Sequence, residues 1–488
     1  MSGIAGVIGE KTDRDTLLEM IGKIAHRGPD NTITRQVTGG GVACCELTLS
    51  PRYTAGMAGK DEPIVLLDGE IYQPLEAGQT NAGFIREVYQ REGKDGLAGI
   101  DGSFACAIID RDETILARDA VGSRPLIYHD GGDSFCFASE AKALVNRTAE
   151  VEELPPGHFF STTGGLQPFP AHSPTVPDFS TPAEAVEILR ELMVKAVRKM
   201  MSDGAVEGVA LSGGLDSSII AAIARTVNPN IKLFSTTIKR HPSKDLKFAK
   251  LMAEFLELEH HIYQITDQDI DRILDRAIYH LESFDEDCVA GAIANLYTSR
   301  LTSVFTKTIM VGEGADELFA GYFAELKKVE SVEQMEQVAG KLVDIAYNTA
   351  LRRLDRAWLA NSINYRTPFL DPEVVAFSRK IPLNLKVYED KERGMEVEKW
   401  VLREAFRDWL PHEIANRTKL RFAGGVGIDD LMDELTAKHV SAAEFKAHPY
   451  TETGIRLNSP KELYYYHLFR RHFPPGYEKL TARWDPFK

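Results

Sequence analysis

Residues 208–218 read Gly-Val-Ala-Leu-Ser-Gly-Gly-Leu-Asp-Ser-Ser, a short apolar run followed by a glycine-rich turn. Such a run ahead of a turn and a helix-like segment is typical of a buried strand in a parallel sheet. The small residues at 212–214 let the backbone approach a ligand closely, and the amides of the turn and of the helix N-terminus favour an anion. No Gly-Lys-Ser or Gly-Lys-Thr closes the loop, so it is not of the Walker type. We predict a strand, a phosphate-binding loop and a helix.

The residues after the turn supply further polar groups for phosphate chemistry. Ser217 and Ser218 provide hydroxyl donors, and the carboxylate of Asp216 is a suitable ligand for a Mg²⁺ ion that shields the phosphates. The alternative is an ordinary turn in which these side chains only cap the helix. The loop resembles the PP-loop of ATP pyrophosphatases, which release pyrophosphate and leave AMP on the substrate. The predicted ATP- and pyrophosphate-binding residues are Leu211, Ser212, Gly213, Gly214, Asp216, Ser217, Ser218 and Gly312.

Seven prolines between Pro155 and Pro182 mark the clearest boundary in this chain of 488 residues. Proline restricts φ and removes an amide donor, so a stretch rich in proline predicts an extended connector. We therefore predict a connector over 161–182, between a first domain at 1–160 and a second at 183–488.

The patterns on the two sides of the connector differ. Before it, short β-like runs predominate, with helix-like stretches at 13–25 and 81–92, which predicts strand layers covered by helices. After it, helices alternate with buried strands, the signature of a parallel sheet with right-handed crossovers, and from about Val329 the chain is mostly helical. The predicted fold class is therefore α+β in the first domain and α/β in the second.

Composition excludes several classes of protein. The chain has 57 lysines and arginines against 72 aspartates and glutamates, a net charge of −15, so we expect neither a nucleic-acid nor a membrane partner. Hydrophobic residues at 43% are ordinary for a globular protein. Five cysteines without a CxxC pair fit a reducing compartment, and neither a signal peptide nor a run of ~20 apolar residues is present. We expect a cytoplasmic protein and leave a homodimer open.

Motifs in both halves resemble those of the asparagine synthetase family. In the second half they are GEGADELFAGY at 312–322, RTPFLD at 366–371, KWVLREAF at 399–406, RTKLRF at 417–422 with GVG at 425–427, and WDP at 484–486. In the first half they are HRGPD at 26–30, DGEIY at 68–72, ARD at 117–119 with PL at 125–126, and ASEAKA at 138–143. The resemblance implies an Ntn-type αββα amidotransferase-like sandwich, then a PP-loop parallel-sheet domain with a helical C-terminal part.

The resemblance also implies a reaction. A substrate carboxylate attacks the α-phosphorus of ATP, pyrophosphate leaves with Mg²⁺, and an amine then displaces AMP to give an amide. Asp216 and Asp316 would hold magnesium, and Lys419 would lie beside the reacting centre. A cation there stabilises the charge that develops on the phosphoryl oxygens and on the tetrahedral oxyanion. Glu313 in the Gly-Glu-Gly motif would take a proton from the incoming ammonium, because only the neutral amine attacks.

The first half departs from the family pattern at its chemical positions. Ser2 replaces the nucleophilic cysteine, and Asp68 replaces the asparagine of the oxyanion hole. Glu46 stands for the arginine that binds the glutamine carboxylate, and Asn81 for the acid that binds the glutamine amine. We therefore predict a domain that keeps its fold but does not hydrolyse glutamine, so that ammonia or an amine enters the ligase site directly. The alternative is an amidase with the N-terminal serine as its nucleophile.

Several alternatives concern the product. β-Lactam and carbapenam synthetases share this architecture and close a ring, but they carry tyrosine where this chain has Glu313. Asn364 and Tyr365 differ from the family's Glu-Ala, which puts aspartate as the acceptor in doubt. The acidic stretch 285–287 is either a solvated loop or a site for a cationic amine substrate. A catalytically silent scaffold is the alternative from another class.

Overall fold

The first half of the chain forms two antiparallel sheets. The computed structural model describes residues 2–9, 12–49, 56–111, 113–240, 245–390, 395–417 and 428–483. The strands of the first sheet are β1 (Ser2–Ile8), β2 (Asn31–Val37), β3 (Gly40–Glu46), β8 (Ile127–Asp130), β9 (Phe135–Ala138) and β10 (Glu152–Glu153). Those of the second are β4 (Met57–Ala58), β5 (Ile64–Ile71), β6 (Gly102–Asp110), β7 (Glu113–Arg118), β11 (His158–Ser161) and β12 (Gly165–Pro168). The strand orders are β10-β8-β9-β1-β3-β2 and β12-β11-β7-β6-β5-β4.

Helices cover the outer faces of both sheets because side chains alternate along each strand. On β1, Ile4 packs between the sheets with Leu66 of β5, whereas Val7 faces helix α1 (Arg14–Gly22). Helix α2 (Asn81–Glu92) packs against β5 on the outer face of the second sheet. The predicted αββα sandwich is therefore confirmed.

The second half is built on a parallel sheet of five strands in the described residues. Its strands are β13 (Gly208–Ala210), β14 (Lys232–Ile238), β15 (His260–Ile265), β16 (Thr308–Met310) and β17 (Asn364–Arg366), in the order β15-β14-β13-β16-β17. The helices that alternate with these strands are α3 (Pro182–Met200), α4 (Leu215–Val227), α5 (Leu246–Leu256), α6 (Asp267–Leu281) and α7 (Glu286–Thr302). The predicted α/β class of this domain is confirmed.

Short helices make up most of the remaining chain. They are α8 (Ala315–Leu318), α9 (Phe323–Leu326), α10 (Val332–Ile345), α11 (Ala350–Leu359), α12 (Pro372–Lys380), α13 (Leu383–Lys386), α14 (Trp400–Ala405), α15 (His412–Ala415), α16 (Ile428–Ala437), α17 (Ala442–Ala447) and α18 (Pro460–Phe469). Strands β18 (Val387–Asp390) and β19 (Met395–Glu398) form a separate antiparallel pair. The 3₁₀ helices are Ala25–Arg27, Lys94–Gly99, Ala141–Ala143, Ala346–Asn348, Pro368–Leu370, Arg407–Trp409 and Tyr477–Leu480. The C-terminal part is thus mainly helical, as predicted, but it also supplies the edge strand β17.

The stretch predicted as a connector begins with sheet structure. Strand β12 pairs with β11, and β11 pairs with β7, so the second sheet of the first domain extends to Pro168. Residues 169–181 then run without helix or strand to α3, whose N-terminus is capped by Thr181 and Glu184. Among the described helices, none combines the length and hydropathy that crossing a bilayer requires.

Candidate active site

The phosphate loop joins β13 to α4 with the geometry that its small residues favour. Gly213 has φ +85°, and a Cβ there would lie 2.4 Å from the carbonyl oxygen of Asp245, so only glycine fits. The Ser212 and Ser217 hydroxyls lie 3.0 Å apart, and the Gly214 amide donates to Ser212 Oγ at 3.2 Å. The loop is therefore closed by its own hydroxyls, with its amides gathered at the N-terminus of α4.

A cavity of about 340 Å³ opens in front of this loop. The predicted site residues that line it are Leu211, Ser212, Gly214, Asp216, Ser217, Gly312, Glu313 and Asp316. Gly213 and Ser218 are not among its lining residues. The Ser218 hydroxyl instead donates to the Gly214 carbonyl oxygen at 2.7 Å, so these two residues shape the loop from behind.

A buried cation that sequence reasoning did not single out lies at the centre of the cavity wall. Lys399 Nζ lies 2.6 Å from both carboxylate oxygens of Asp216 and 2.5 Å from Asp316 Oδ1. Burial would lower the pKa of Lys399, but the two carboxylates outweigh it and hold the pKa above its usual value. Lys399 has φ +56°, a strained conformation that is typical of functional positions. The only sequence signal was its place at the start of the 399–406 motif.

The same two carboxylates are the candidates for magnesium. Mg²⁺ is usually bound by one or two carboxylates together with substrate phosphates. Asp216 and Asp316 fit this role, since they line the cavity beside the loop and keep about a fifth of their side-chain surface exposed, 19% and 24%. The described residues contain no cluster of three or more metal-binding side chains, so a bound ion would need phosphate oxygens as well.

Helices α7 and α11 form another part of the cavity wall. Glu313 makes an ion pair with Arg353 of α11, and both side chains line the cavity. Burial would lower the pKa of Arg353, but Glu313, Tyr322 and Cys288 together outweigh it and raise the pKa. Leu354 and Trp358, one helical turn apart on α11, also line the cavity. Glu313 is therefore held by a cation as well as being exposed to any ligand in the cavity.

The three acidic residues at the start of α7 do not act together. Asp285 caps the helix by accepting from the Cys288 amide at 2.9 Å, and burial raises the pKa of Asp285 to about 6. Glu286 lies 3.9 Å from Lys461 Nζ at the protein surface. Of the three, only Asp287 lines the cavity. The three acids therefore differ in their surroundings: Asp285 caps the helix, Glu286 lies near Lys461, and Asp287 lines the cavity.

Lys419, the predicted catalytic lysine, lies outside the described residues, as do 420–427 and 484–486. The last described residue before this stretch, Arg417, lines the cavity. Its guanidinium donates to the Gly213 carbonyl oxygen at 2.6 Å and makes an ion pair with Asp245. Arg417, the last described residue before Lys419, therefore contacts the phosphate loop.

In the first domain, the altered glutaminase positions bind other protein groups. Arg27 donates to Asp68 at 2.8 Å, and both side chains are fully buried. Glu46 accepts from the Asn31 side chain at 2.8 Å and from the Gly56 amide at 2.7 Å. The carboxylate oxygens of Asp68 and Glu46 therefore accept hydrogen bonds from other groups of the protein. Of the other two positions, Ser2 lies opposite Glu46 in the β1–β3 ladder, and the Asn81 side chain accepts from the Ile71 amide of β5 at 3.3 Å.

Asn364 and Tyr365 contact the first domain rather than the cavity. Arg124 donates to the Asn364 side chain at 3.2 Å and stacks on the Tyr365 ring, 4.1 Å from its centroid. The Tyr365 hydroxyl lies 2.9 Å from the Ser123 carbonyl oxygen. Neither residue lines the cavity, so their departure from the family pattern lies at the domain interface.

Comparisons with known proteins agree with this architecture. The family model for the glutamine amidotransferase domain matches residues 1–163, and that for asparagine synthase matches 188–344 and 327–481. Glutamine-hydrolysing asparagine synthetase from Zea mays is 32% identical over 542 residues, covering 100% of this chain and 89% of the maize protein. Asparagine synthetase 2 from Arabidopsis thaliana is 32% identical over 539 residues, covering 100% and 90%. Among solved structures, NMN synthetase from Francisella tularensis aligns with 61% of this chain and 97% of its own at a TM-score of 0.27 and 16% identity.

The sandwich, the PP-loop sheet and these matches define an ATP-dependent carbon–nitrogen ligase with an amidotransferase-like first domain. The family expected from the motifs is confirmed by matches that run the full length of the chain. The chain belongs to the asparagine synthetase family.

His260 contacts Ser235 of the cavity wall, and we expect its protonation to make the stability of the protein depend on pH. His260 Nε2 lies 2.7 Å from Ser235 Oγ, and burial lowers the pKa of His260 to about 4. The unfolded chain takes up this proton near pH 6.5, whereas the folded protein does not, so stability falls as pH drops from 6.5 towards 4. Between pH 7 and 5, we expect the wild type to lose about 1–2 kcal/mol more than His260→Gln in denaturant unfolding. Exposed His439→Gln is the control, and equal losses in wild type and His260→Gln would contradict the expectation.

Proposed function

We propose that this ligase activates a small-molecule carboxylate as an acyl-adenylate and couples it to ammonia or an amine, without hydrolysing glutamine. A carboxylate oxygen attacks the α-phosphorus of ATP, and the bond to the β-phosphate oxygen breaks to release pyrophosphate. The amine then attacks the acyl carbon, AMP leaves with the electron pair of the broken bond, and the amine loses a proton. The partners are small molecules, and we propose a cytoplasmic location with no nucleic-acid or membrane partner.

The observation that carries this proposal is the pair of carboxylates bridged by Lys399 beside the phosphate loop. ATP brings three phosphates into the cavity, and splitting it there leaves the charge of pyrophosphate next to Ser212 and Ser217. A buried cation and amide donors already in place stabilise this charge without reorganisation. Mg²⁺ bound by Asp216 and Asp316 would supply further positive charge on the phosphates. Lys419, two residues beyond Arg417, is proposed as a second cation at the reacting centre.

The coupling step needs a group that receives the amine proton. Glu313 is proposed for this role, and its support is that it lines the same cavity as the phosphate loop. Its ion pair with Arg353 fixes the orientation of the Glu313 side chain in the cavity wall. Asp287, on the same cavity wall, adds a second negative charge that favours an ammonium or amine.

Two features of the first domain support direct use of ammonia or an amine. The relatives named above are glutamine-hydrolysing, but this chain has Ser2 and not cysteine at the nucleophile position. The carboxylate of Asp68 is engaged by Arg27, and a negative charge at an oxyanion hole would repel the developing oxyanion. Loss of one such donor typically lowers the rate by about 10²–10³.

The test is a product analysis with nitrogen donors compared in parallel. With ATP, Mg²⁺ and a panel of carboxylic acids including aspartate, we expect AMP and pyrophosphate with ammonium chloride but no gain when glutamine replaces it. Ser2→Ala should leave the ammonium-dependent rate unchanged. ADP and orthophosphate as products would contradict the adenylation step. Glutamine-dependent turnover that Ser2→Ala abolishes would instead restore the amidase alternative.

A further inference from the structure

Eight charged side chains form a fully buried cluster across the boundary between the two domains. The members of this interdomain ion cluster are Arg27, Asp68, Arg124, Glu140, Lys142, Glu282, Asp355 and Arg356, each with an exposed fraction of at most 1%. Positive and negative members are equal in number. Burying charges is costly unless they are paired, so this composition indicates mutual compensation and not accidental change.

Arg27 is the member that joins the altered glutaminase pocket to the ligase domain. Its guanidinium donates to Asp68 at 2.8 Å and to Glu140 at 2.7 Å within the first domain. The same group donates to the two oxygens of Asp355 in α11 at 2.7 and 3.1 Å. Asp355 also lies 3.3 Å from Arg124 of the first domain. A continuous chain of ion pairs therefore runs from Asp68 to helix α11.

Helix α11 presents different faces to the two domains. Asp355 points to the ion cluster, whereas Leu354 and Trp358 line the cavity and Arg353 holds Glu313. A shift of α11 at the ion cluster therefore also moves the part of the cavity wall that this helix forms. We propose that Asp68 is a positioning residue of the ligase, acting through Arg27 and Asp355 on the α11 wall of the cavity.

The choice of aspartate at position 68 follows from this role. The family pattern has asparagine there, whose amide would leave one cation of the cluster without its counter-charge. With asparagine at position 68, only Asp355 and Glu140 attract the Arg27 guanidinium, and we expect it to shift relative to α11. The glutaminase position has thus acquired a new use, which also explains why this domain keeps its fold.

The experiment compares Asp68→Asn with Glu46→Gln in the full-length protein. Both variants change a buried carboxylate of the first domain to an amide, but Glu46 bonds within that domain to Asn31 and Gly56. We expect Asp68→Asn to speed amide hydrogen exchange of residues 350–359 at least tenfold and Glu46→Gln to leave it unchanged. Exchange no faster in Asp68→Asn than in the wild type would overturn the proposal.

A kinetic arm tests positioning and rests on the proposed function. With the acid that best supports ATP–pyrophosphate exchange in the wild type, Asp68→Asn should raise KM for the acid about tenfold and leave KM for ATP unchanged. Equal changes in both constants, or none, would overturn the positioning role. If no acid supports ATP–pyrophosphate exchange in the wild type, the proposed function is wrong. The hydrogen-exchange experiment still decides whether Asp68 is linked to α11 through Arg27 and Asp355.

A second variant covers the case in which Asp68→Asn does not fold. Tyr365→Phe removes a hydroxyl that lies 3.2 Å from Asp355 and 2.9 Å from the Ser123 carbonyl oxygen, without changing any charge. It should speed exchange in 350–359 in the same direction by a smaller factor. Unchanged exchange in this folded variant would count against the link between the first domain and α11.

Discussion

Lys399→Met is expected to lower the rate of ATP-dependent ligation by at least about 10²–10³, the usual cost of removing one preorganised charge-stabilising group. The variant keeps the aliphatic stem but removes the charge that lies 2.5–2.6 Å from Asp216 and Asp316. Without it, the two partly buried carboxylates repel each other and the phosphates of the nucleotide. Pyrophosphate release with ATP, Mg²⁺, ammonium chloride and the most active acid of the panel is the measurement.

A matched control separates this effect from a general loss of lysine charge. Lys195 is exposed on α3, where it makes a surface ion pair with Glu373, and Lys195→Met should retain the wild-type rate. Circular dichroism of both variants shows whether they fold. A folded Lys399→Met that releases pyrophosphate at the wild-type rate would refute the assigned role of this lysine.

Arg27→Met is expected to have the largest effect on stability, about 3–5 kcal/mol, because it leaves buried carboxylates without their shared cation. Burial alone would raise the pKa of Asp355, but Arg27 together with Arg356 and Arg124 outweighs it and holds the pKa below the usual value. Burial already raises the pKa of Asp68 despite Arg27, and loss of this cation would raise that pKa further. The measurement is the denaturant midpoint of the full chain at pH 7.

Arg91→Met is the control for this prediction. Arg91 is exposed and pairs with neighbouring Glu92, and surface pairs of this kind contribute about 0–1 kcal/mol. Similar midpoints for Arg27→Met and Arg91→Met would show that the interdomain ion cluster does not stabilise the fold.

Much of the architecture could be predicted because its signals are local. Helix α2 begins and ends where the pattern predicts, with the Thr80 hydroxyl accepting from the Gly83 amide at its start. Strand β17 escaped prediction because its three residues, Asn364–Arg366, are too few for any periodicity. They become a strand only because β16 lies beside them.

The candidate site divides in the same way. The phosphate loop could be predicted because it is one contiguous stretch of sequence. The glycine at 213 and the hydroxyls at 212 and 217 shape the backbone of the loop in which they lie. The importance of Lys399 could not follow from such a stretch. It lies 183 residues from Asp216 along the chain, and no periodicity or spacing relates the two.

The sequence by itself therefore determined the two-domain architecture, the family and the phosphate loop, because these depend on neighbours in the chain and on ordered motifs. Only the tertiary structure decided that Lys399 bridges Asp216 and Asp316 and that Asp68 is tied through Arg27 to the ligase domain. The physical reason is that charge interactions depend on distance and burial, and both arise only when segments far apart in the chain are packed together.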